Sequence, residues 1–246
     1  HTENMLIKNS QAIKIKKGRK KLIKIYGKKY LNPVNINVPG DPSSAAFFVA
    51  LTLLSKQSSL KIKNVGLNPT RIGFYELLKK HKEKIKFMNI KKSNNEIYGD
   101  IYVKSSKIRP IKAPKEFYVK TTDEYPILFV IAALTKGLSI FKNVEGLFNK
   151  ESNRVTEMQK VLKQVGVKSK FYKKDLKIFG KGMFDANDKK IFVPNLSDHR
   201  ISMSAFILSV LTGARANIKN FDTVFTSSPS FLKIMKLLGA KFEIQK

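Results

Sequence analysis

The 246-residue chain contains no cysteine and no tryptophan. Without thiols there is no disulfide framework, no thiolate nucleophile and no cysteine-based metal site. Histidine is almost as scarce. His1, His81 and His199 lie far apart in the chain, which argues against a metal centre. Acidic residues are few, with 18 Asp and Glu against 48 Lys and Arg, for a formal charge of +30. No apolar run reaches the roughly 18 residues that a membrane-spanning helix needs, so no membrane partner is expected. The opening HTENML lacks the basic flank and apolar run of a signal peptide, and a cytoplasmic location is expected. It also starts mid-pattern and without Met, the expectation being a fragment of a longer protein.

A charge of +30 invites a polyanionic partner, because basic surfaces gain affinity by releasing counterions from phosphates. Yet 42 of the 48 cations are lysines, spread through every segment beside abundant Asn, Ile and Phe. That is the composition expected of an AT-rich coding sequence. No recognition helix, zinc-finger spacing or RNA-binding aromatic motif accompanies the charge. No nucleic-acid partner is expected, although a basic nucleic-acid-binding module stands as an alternative.

Three stretches instead read as copies of one another, each opening with an aspartate at the mouth of an apolar helix. The first runs from Asp41 (DPSSAAFFVALTLL) through LKIKNV to the helix IGFYELLKK. The second runs from Asp123 (DEYPILFVIAALTKG) through LSIFKNV to VTEMQKVLKQVG and the strand VKSKFY. The third runs from Asp198 (DHRISMSAFILSVLTG) through ANIKNF to PSFLKIMKLLG and an expected strand, AKFEI. Periods of 82 and 75 residues are too long for a short solenoid. They suggest three copies of a larger α/β unit, packed together because none buries its apolar helix alone. Strands around Ile97–Lys104 and Leu176–Phe179 are expected to close the first two units. Residues 1–37 differ: HTENMLIK reads as a helix end, and QAIKIKKGRKKLIKIYG alternates with period two around Lys17-Gly18, a hairpin pattern. The turn Val38-Pro39-Gly40 marks an expected boundary between residues 1–37 and 38–246.

Asp is a strong N-cap, and Pro42 after Asp41 is the expected first helical residue. Capping is therefore the shared explanation for Asp41, Asp123 and Asp198, with catalysis by Asp123 the alternative. The arginines carry more information. Arg71, Arg154 and Arg200 sit at or near helix starts, where a cation opposes the helix dipole and free amides attract anions. Arginine's planar fork also grips phosphate or carboxylate through two parallel bonds. Each of Arg154 and Arg200 could hold a bound anion or pair with a nearby cap carboxylate; for Arg71 the ion pair is favoured. Lys150-Glu151-Ser152-Asn153-Arg154 packs two cations and a carboxylate into one loop-to-helix entry. Ser152 is a natural cap there, and Glu151 could favour the dipole or exchange protons with a substrate. His199 could act as a base, but Asp198 beside it in sequence does not make a dyad.

Taken in order, VPGDPSSAAFF (38–48), NPTR (68–71), DEYPIL (123–128), KESNR (150–154) and DHRISMS (198–204) resemble the 5-enolpyruvylshikimate-3-phosphate synthase family across essentially the whole chain. A sister family that transfers enolpyruvyl to a UDP-sugar is the alternative, but it usually relies on a loop cysteine, which this chain lacks. The resemblance implies an inside-out α/β barrel of the enolpyruvyl transferase type, with three βαβαββ units in the main domain. It implies that residues 1–37 finish the shikimate-phosphate domain and 38–246 form most of the phosphoenolpyruvate side. The implied reaction moves enolpyruvyl from phosphoenolpyruvate to the 5-hydroxyl of shikimate 3-phosphate, with no cofactor or metal. Asp123 then matches the aspartate at the reacting hydroxyl and Glu151 the proton-transfer glutamate. Lys150 matches a lysine near the same substrate, and Arg154 and Arg200 match the arginines that hold phosphoenolpyruvate. The missing N-terminal half of the same protein is an implied partner. Asn153 stands where the family usually has Asp, and Phe148-Asn149 replaces a typical Arg-Val.

Overall fold

The computed structural model describes residues 1–7, 9–16, 18 and 20–244. Lys17, one half of the expected hairpin turn, lies outside the described residues. Near the N-terminus come α1 (Thr2–Leu6) and the antiparallel pair β1 (Ile13–Lys16) and β2 (Leu22–Ile25). The alternating Ile-Lys pattern forms the expected hairpin strands.

The first unit then follows as α2 (Pro42–Leu54), β3 (Ser59–Gly66), α3 (Gly73–Lys80), β4 (Ile85–Ser93) and β5 (Glu96–Lys104). A short strand β6 (Lys112–Ala113) and the single turn α4 (Tyr118–Thr121) lead to the second. It contains α5 (Tyr125–Ala133), β7 (Gly137–Phe141), α6 (Arg154–Gln164), β8 (Lys168–Tyr172) and β9 (Asp175–Gly180). The third contains β10 (Lys190–Val193), α7 (His199–Thr212), β11 (Arg215–Ile218), α8 (Thr223–Ser227) and α9 (Phe231–Leu237).

The sheets repeat one plan. A strand, an apolar helix and a parallel strand come first, seen as β6 beside β7 and β10 beside β11; Gly40 makes the matching parallel bridge to Val65. An antiparallel hairpin then adds on, giving the orders β3-β5-β4 and β6-β7-β9-β8. The end of the first strand after each apolar helix is marked the same way. Asn64, Asn143 and Asn220 have φ of 55°, 56° and 52°, the left-handed conformation Asn tolerates better than most residues. In two units a carboxylate from the hairpin accepts the turned amide: Asn64 N–H donates to Asp100, and Asn143 N–H donates to Asp175. This is the physical content of the repeated Lys-Asn pair in KNV, KNV and KNF.

The third unit departs from the expectation. Residues 240–244 form no strand, and β10 and β11 stand as a two-stranded sheet. An extended segment becomes a strand only against a ladder partner, and AKFEI has none among the described residues.

The three apolar helices, α2, α5 and α7, are hydrophobic all round rather than on one stripe, so they must be enclosed. All nine residues of α5 are buried, and 12 residues of α2. The three helices pack on one another pairwise, with the sheets outside showing an exposed face. That arrangement brings the N-terminal ends of helices from different units into reach of one another. No helix among the described residues is long and apolar enough to cross a membrane.

Close approach is tightest where β9 crosses the end of α5. A Cβ on Gly180 would sit 1.9 Å from the Thr135 carbonyl oxygen and 2.1 Å from that of Ala132. Both are backbone atoms, so neither can swing aside. Gly180→Ala should therefore destabilise by about 3 kcal/mol or more, at the upper end of core overpacking. A thermal melt checks this, and an unchanged midpoint would mean that β9 is free to shift.

Candidate functional site

Asp41 caps α2 as expected: Ser44 N–H donates to Asp41 Oδ2 at 2.8 Å, and Pro42 takes the first helical position. Asp198 likewise caps α7, accepting from Arg200 N–H at 3.0 Å. Asp123 does not cap. Helix α5 starts at Tyr125 with Glu124 in the cap position and no side-chain cap bond, which frees the Asp123 carboxylate for other contacts. The shared capping explanation therefore fails for Asp123, the one aspartate that the resemblance assigns to catalysis. At α6 the cap is Asn153, accepting from Thr156 N–H at 3.0 Å, not Ser152. Asn in place of the family's usual Asp keeps the cap, since the two cap about equally well. Ser152 instead donates to Asp198 at 2.8 Å.

Arg154, the first residue of α6, is the centre of the cluster and only 1% exposed. Its Nη2 donates to Glu151 at 2.6 Å, its Nε to Asp198 at 3.0 Å and its Nη1 to Asp123 at 3.3 Å. Burial works against its charge, but the hydrogen bond to Asp198 and the charges of Asp198, Glu151 and Asp123 outweigh it and hold the guanidinium above its ordinary value. Asp198, itself fully buried, is the organising carboxylate: it caps α7, anchors Ser152 and grips Arg154 from another unit. Sequence reasoning gave it only the cap.

Arg200 lies in the first turn of α7 and is 7% exposed. Its nearest acid is Asp123, with Nη2 at 3.8 Å from Oδ2, and its buried Nε has no partner among the described residues. Arg154 and Arg200 thus face opposite oxygens of one half-exposed carboxylate. Of the two, Arg154 is saturated by acids and Arg200 has donors to spare. Glu151, 48% exposed, stands on the open side of Arg154. Lys150 is exposed beside it and makes no ion pair among the described residues. Arg71 donates to Asp41 and to Ser43 Oγ, both at 3.0 Å, the ion pair expected for it. His199 is half-buried, and burial followed by the Arg200 charge pushes its imidazole below the ordinary value. Among the described residues its buried Nε2 has no hydrogen-bond partner, so no carboxylate turns it into a strong base.

The residue that sequence reasoning missed is Glu124. It is 2% exposed, and Ser43 Oγ donates to its carboxyl in a short hydrogen bond. Burial pushes it up to about 7, against the lowering effect of Ser43 and of the Arg200 and Arg71 charges. A glutamate directly before a wholly apolar helix was the available signal. Between its ordinary value of 4.5 and about 7 the folded chain holds this proton and the unfolded chain releases it. Stability should therefore fall as pH rises through that window and level off above it, by up to about 3 kcal/mol. Glu124→Gln removes the slope, so its melting temperature relative to the parent should rise between pH 5 and pH 8. A constant difference would mean that Glu124 does not hold its proton on folding.

Two grooves lie elsewhere. One of about 720 Å³ is lined by Ile72, Lys80 and Phe117, and one of about 520 Å³ by Val161, Phe192 and Leu196. The Asp123–Arg154–Arg200 cluster is a wall of helix mouths, with the Asp123 and Glu151 carboxylates open to solvent.

Known proteins share the sequence pattern and the fold of this chain. Residues 1–235 match the family model described as EPSP synthase (3-phosphoshikimate 1-carboxyvinyltransferase). A 3-phosphoshikimate 1-carboxyvinyltransferase of Zymomonas mobilis is 37% identical over 91% of this chain and 50% of its own length. One from Persephonella marina is 36% identical over 94% of this chain and 53% of its own. Among solved structures, an EPSP synthase from Acinetobacter baumannii superposes with a TM-score of 0.87 at 30% identity, over all of this chain and 56% of that one. The enolpyruvyl transferase NikO of Streptomyces tendae, at 14% identity and a TM-score of 0.67, shares the fold. The chain spans about half the length of the curated relatives it matches. With the family model covering nearly every residue and the α/β units superposing throughout, the chain belongs to the EPSP synthase family.

Proposed function

We propose that this chain supplies the phosphoenolpyruvate-side half of an enzyme that transfers enolpyruvyl to the 5-hydroxyl of shikimate 3-phosphate, releasing phosphate, in chorismate and aromatic amino-acid biosynthesis. In this reading residues 38–246 form most of one domain. Residues 1–37 finish the other, whose remainder is the missing N-terminal half, and the enzyme works in the cytoplasm. The observation that carries the proposal is the pairing of Arg154 and Arg200 around one carboxylate at two helix mouths, with Arg200 Nε unpartnered among the described residues.

The chemistry follows from the charges. The 5-hydroxyl oxygen adds to C2 of phosphoenolpyruvate while a proton reaches C3, giving a tetrahedral intermediate. Loss of that intermediate's phosphate and of a C3 proton leaves the enol ether. Asp123, half-exposed and facing both arginines, orients the hydroxyl and accepts from it. Glu151, exposed on the Arg154 side, exchanges the proton at C3. Arg200 and Arg154 hold the phosphoenolpyruvate anion with preorganised donors, and exposed Lys150 offers a cation to shikimate 3-phosphate. Arg154 is already neutralised by three carboxylates, so Arg200 carries the larger share of anion binding.

Calorimetric titration of the chain with phosphoenolpyruvate tests this. Arg200→Ala should weaken binding by roughly 1.5–3 kcal/mol, the loss of a charge-assisted contact, or about 10- to 150-fold. Unchanged affinity would remove Arg200 from the site.

A further inference from the structure

Glu124 has no part in the chemistry above, yet it is built into the floor of the same cluster. Its carboxyl is buried where the starts of α2 and α5 meet, and it takes a hydrogen bond from Ser43, the second residue of α2. Ser43 in turn accepts from Arg71, which also pairs with Asp41, so acid, hydroxyl and guanidinium form a chain linking the first unit to the second. Asp123, adjacent in sequence, lies 3.8 Å from the Arg200 guanidinium of α7, and the Arg200 charge acts on the Glu124 carboxyl. Tyr75 of α3 is a further titratable group that feels it. The Tyr75 hydroxyl donates to the Pro42 carbonyl, and burial, then Glu124 and Asp41, pushes its phenol well up. Glu124 thus has one acid neighbour and two guanidiniums at a distance, and no direct ion pair among the described residues.

We propose that Glu124 is a positioning residue that couples anion binding at Arg200 to uptake of one proton. The inference rests on the reading of Arg200 as an anion-holding residue. When Arg200 is free, its charge favours ionised Glu124. When an anion engages Arg200, that favourable field is cancelled and a negative charge arrives beside a buried carboxylate. The neutral acid is then the stable form, and it keeps its hydrogen bond with Ser43 whichever oxygen carries the proton. With the free carboxyl titrating at about 7, the coupling operates around neutral pH. A neutral Glu124 also leaves Asp123 as the one carboxylate opposing the bound anion on the α5 side.

Sulfate is the probe, because its own charge is constant across the range. Binding of sulfate to the 246-residue chain is measured by calorimetry from pH 6.5 to 8.5. His199 is held below its ordinary value by burial and the Arg200 charge, and any slope it contributes persists in Glu124→Gln. Affinity of the parent should fall roughly five- to tenfold as pH rises, the effect of about one pKa unit of coupling. Glu124→Gln, which preserves the hydrogen bond to Ser43, should bind with no such slope. Ser43→Ala guards against a Gln variant that misfolds. Removing the bond that lowers the Glu124 value should leave the slope in place with its midpoint moved to higher pH. Sulfate binding that is flat with pH in the parent, or equally steep in Glu124→Gln, overturns the coupling and leaves the anion site intact. No sulfate binding at pH 6.5 overturns the coupling and the Arg200 site together.

Discussion

Replacing Arg154 by alanine should lower the melting temperature by about 6–20 °C. The side chain is 1% exposed and Asp198 beneath it is fully buried, so truncation leaves an ionised carboxylate without its counter-charge. Breaking a buried pair from one side costs about 3–5 kcal/mol. In a chain of this size each kcal/mol is worth roughly 2–4 °C. Arg154→Lys should fall in between, because an ammonium cannot span acids on three segments as the guanidinium fork does. Most of the loss belongs to the orphaned acid rather than to the missing arginine. The double change Arg154→Met with Asp198→Asn should therefore be clearly more stable than Arg154→Met alone, since an asparagine in that place still caps α7. Equal midpoints for the single and double variants would show that Asp198 does not depend on Arg154.

Glu151→Gln and Asp123→Asn should behave oppositely. Both side chains are nearly half-exposed, and neither caps a helix, so the fold loses little. In the complete enzyme each should lower turnover by about 10²–10⁴-fold, the usual contribution of a positioned proton-transfer group. Melting midpoints should stay within about 2 °C of the parent, as for exposed ion pairs worth under 1 kcal/mol. Turnover of Glu151→Gln within threefold of the parent would reduce Glu151 to a partner of Arg154. A large drop in the Asp123→Asn midpoint would return that residue to a structural role.

The contrast between these two outcomes follows what the sequence could and could not disclose. The α/β order of the first two units was legible because burial of an apolar helix and a closing hairpin are local demands met by local residues. Asp41 with Pro42 and the Arg71–Asp41 pair were legible for the same reason. Asp123 was misread as a cap because helix α5 begins two residues later, at Tyr125, a shift no pattern of apolar residues records. Asp198 gripping Arg154 and Ser43 bonding Glu124 join residues 44 and 81 positions apart. Such pairs arise from how three units pack, which spacing along the chain does not specify. The strand expected of AKFEI failed likewise, since a strand is a property of two segments and not of one.

In the proposed reading, this wall of helix mouths is one side of an enolpyruvyl transfer site. The most direct test of that reading is phosphate release from phosphoenolpyruvate and shikimate 3-phosphate by the chain co-expressed with the N-terminal half of a full-length relative. The expected result is turnover by the reassembled pair, lowered about 100-fold or more by Glu151→Gln, and none by the 246-residue chain alone, because in the proposed reading two domains close to exclude water and align the reacting groups. Turnover by the chain alone, or turnover of the pair indifferent to Glu151→Gln and Asp123→Asn, would contradict it.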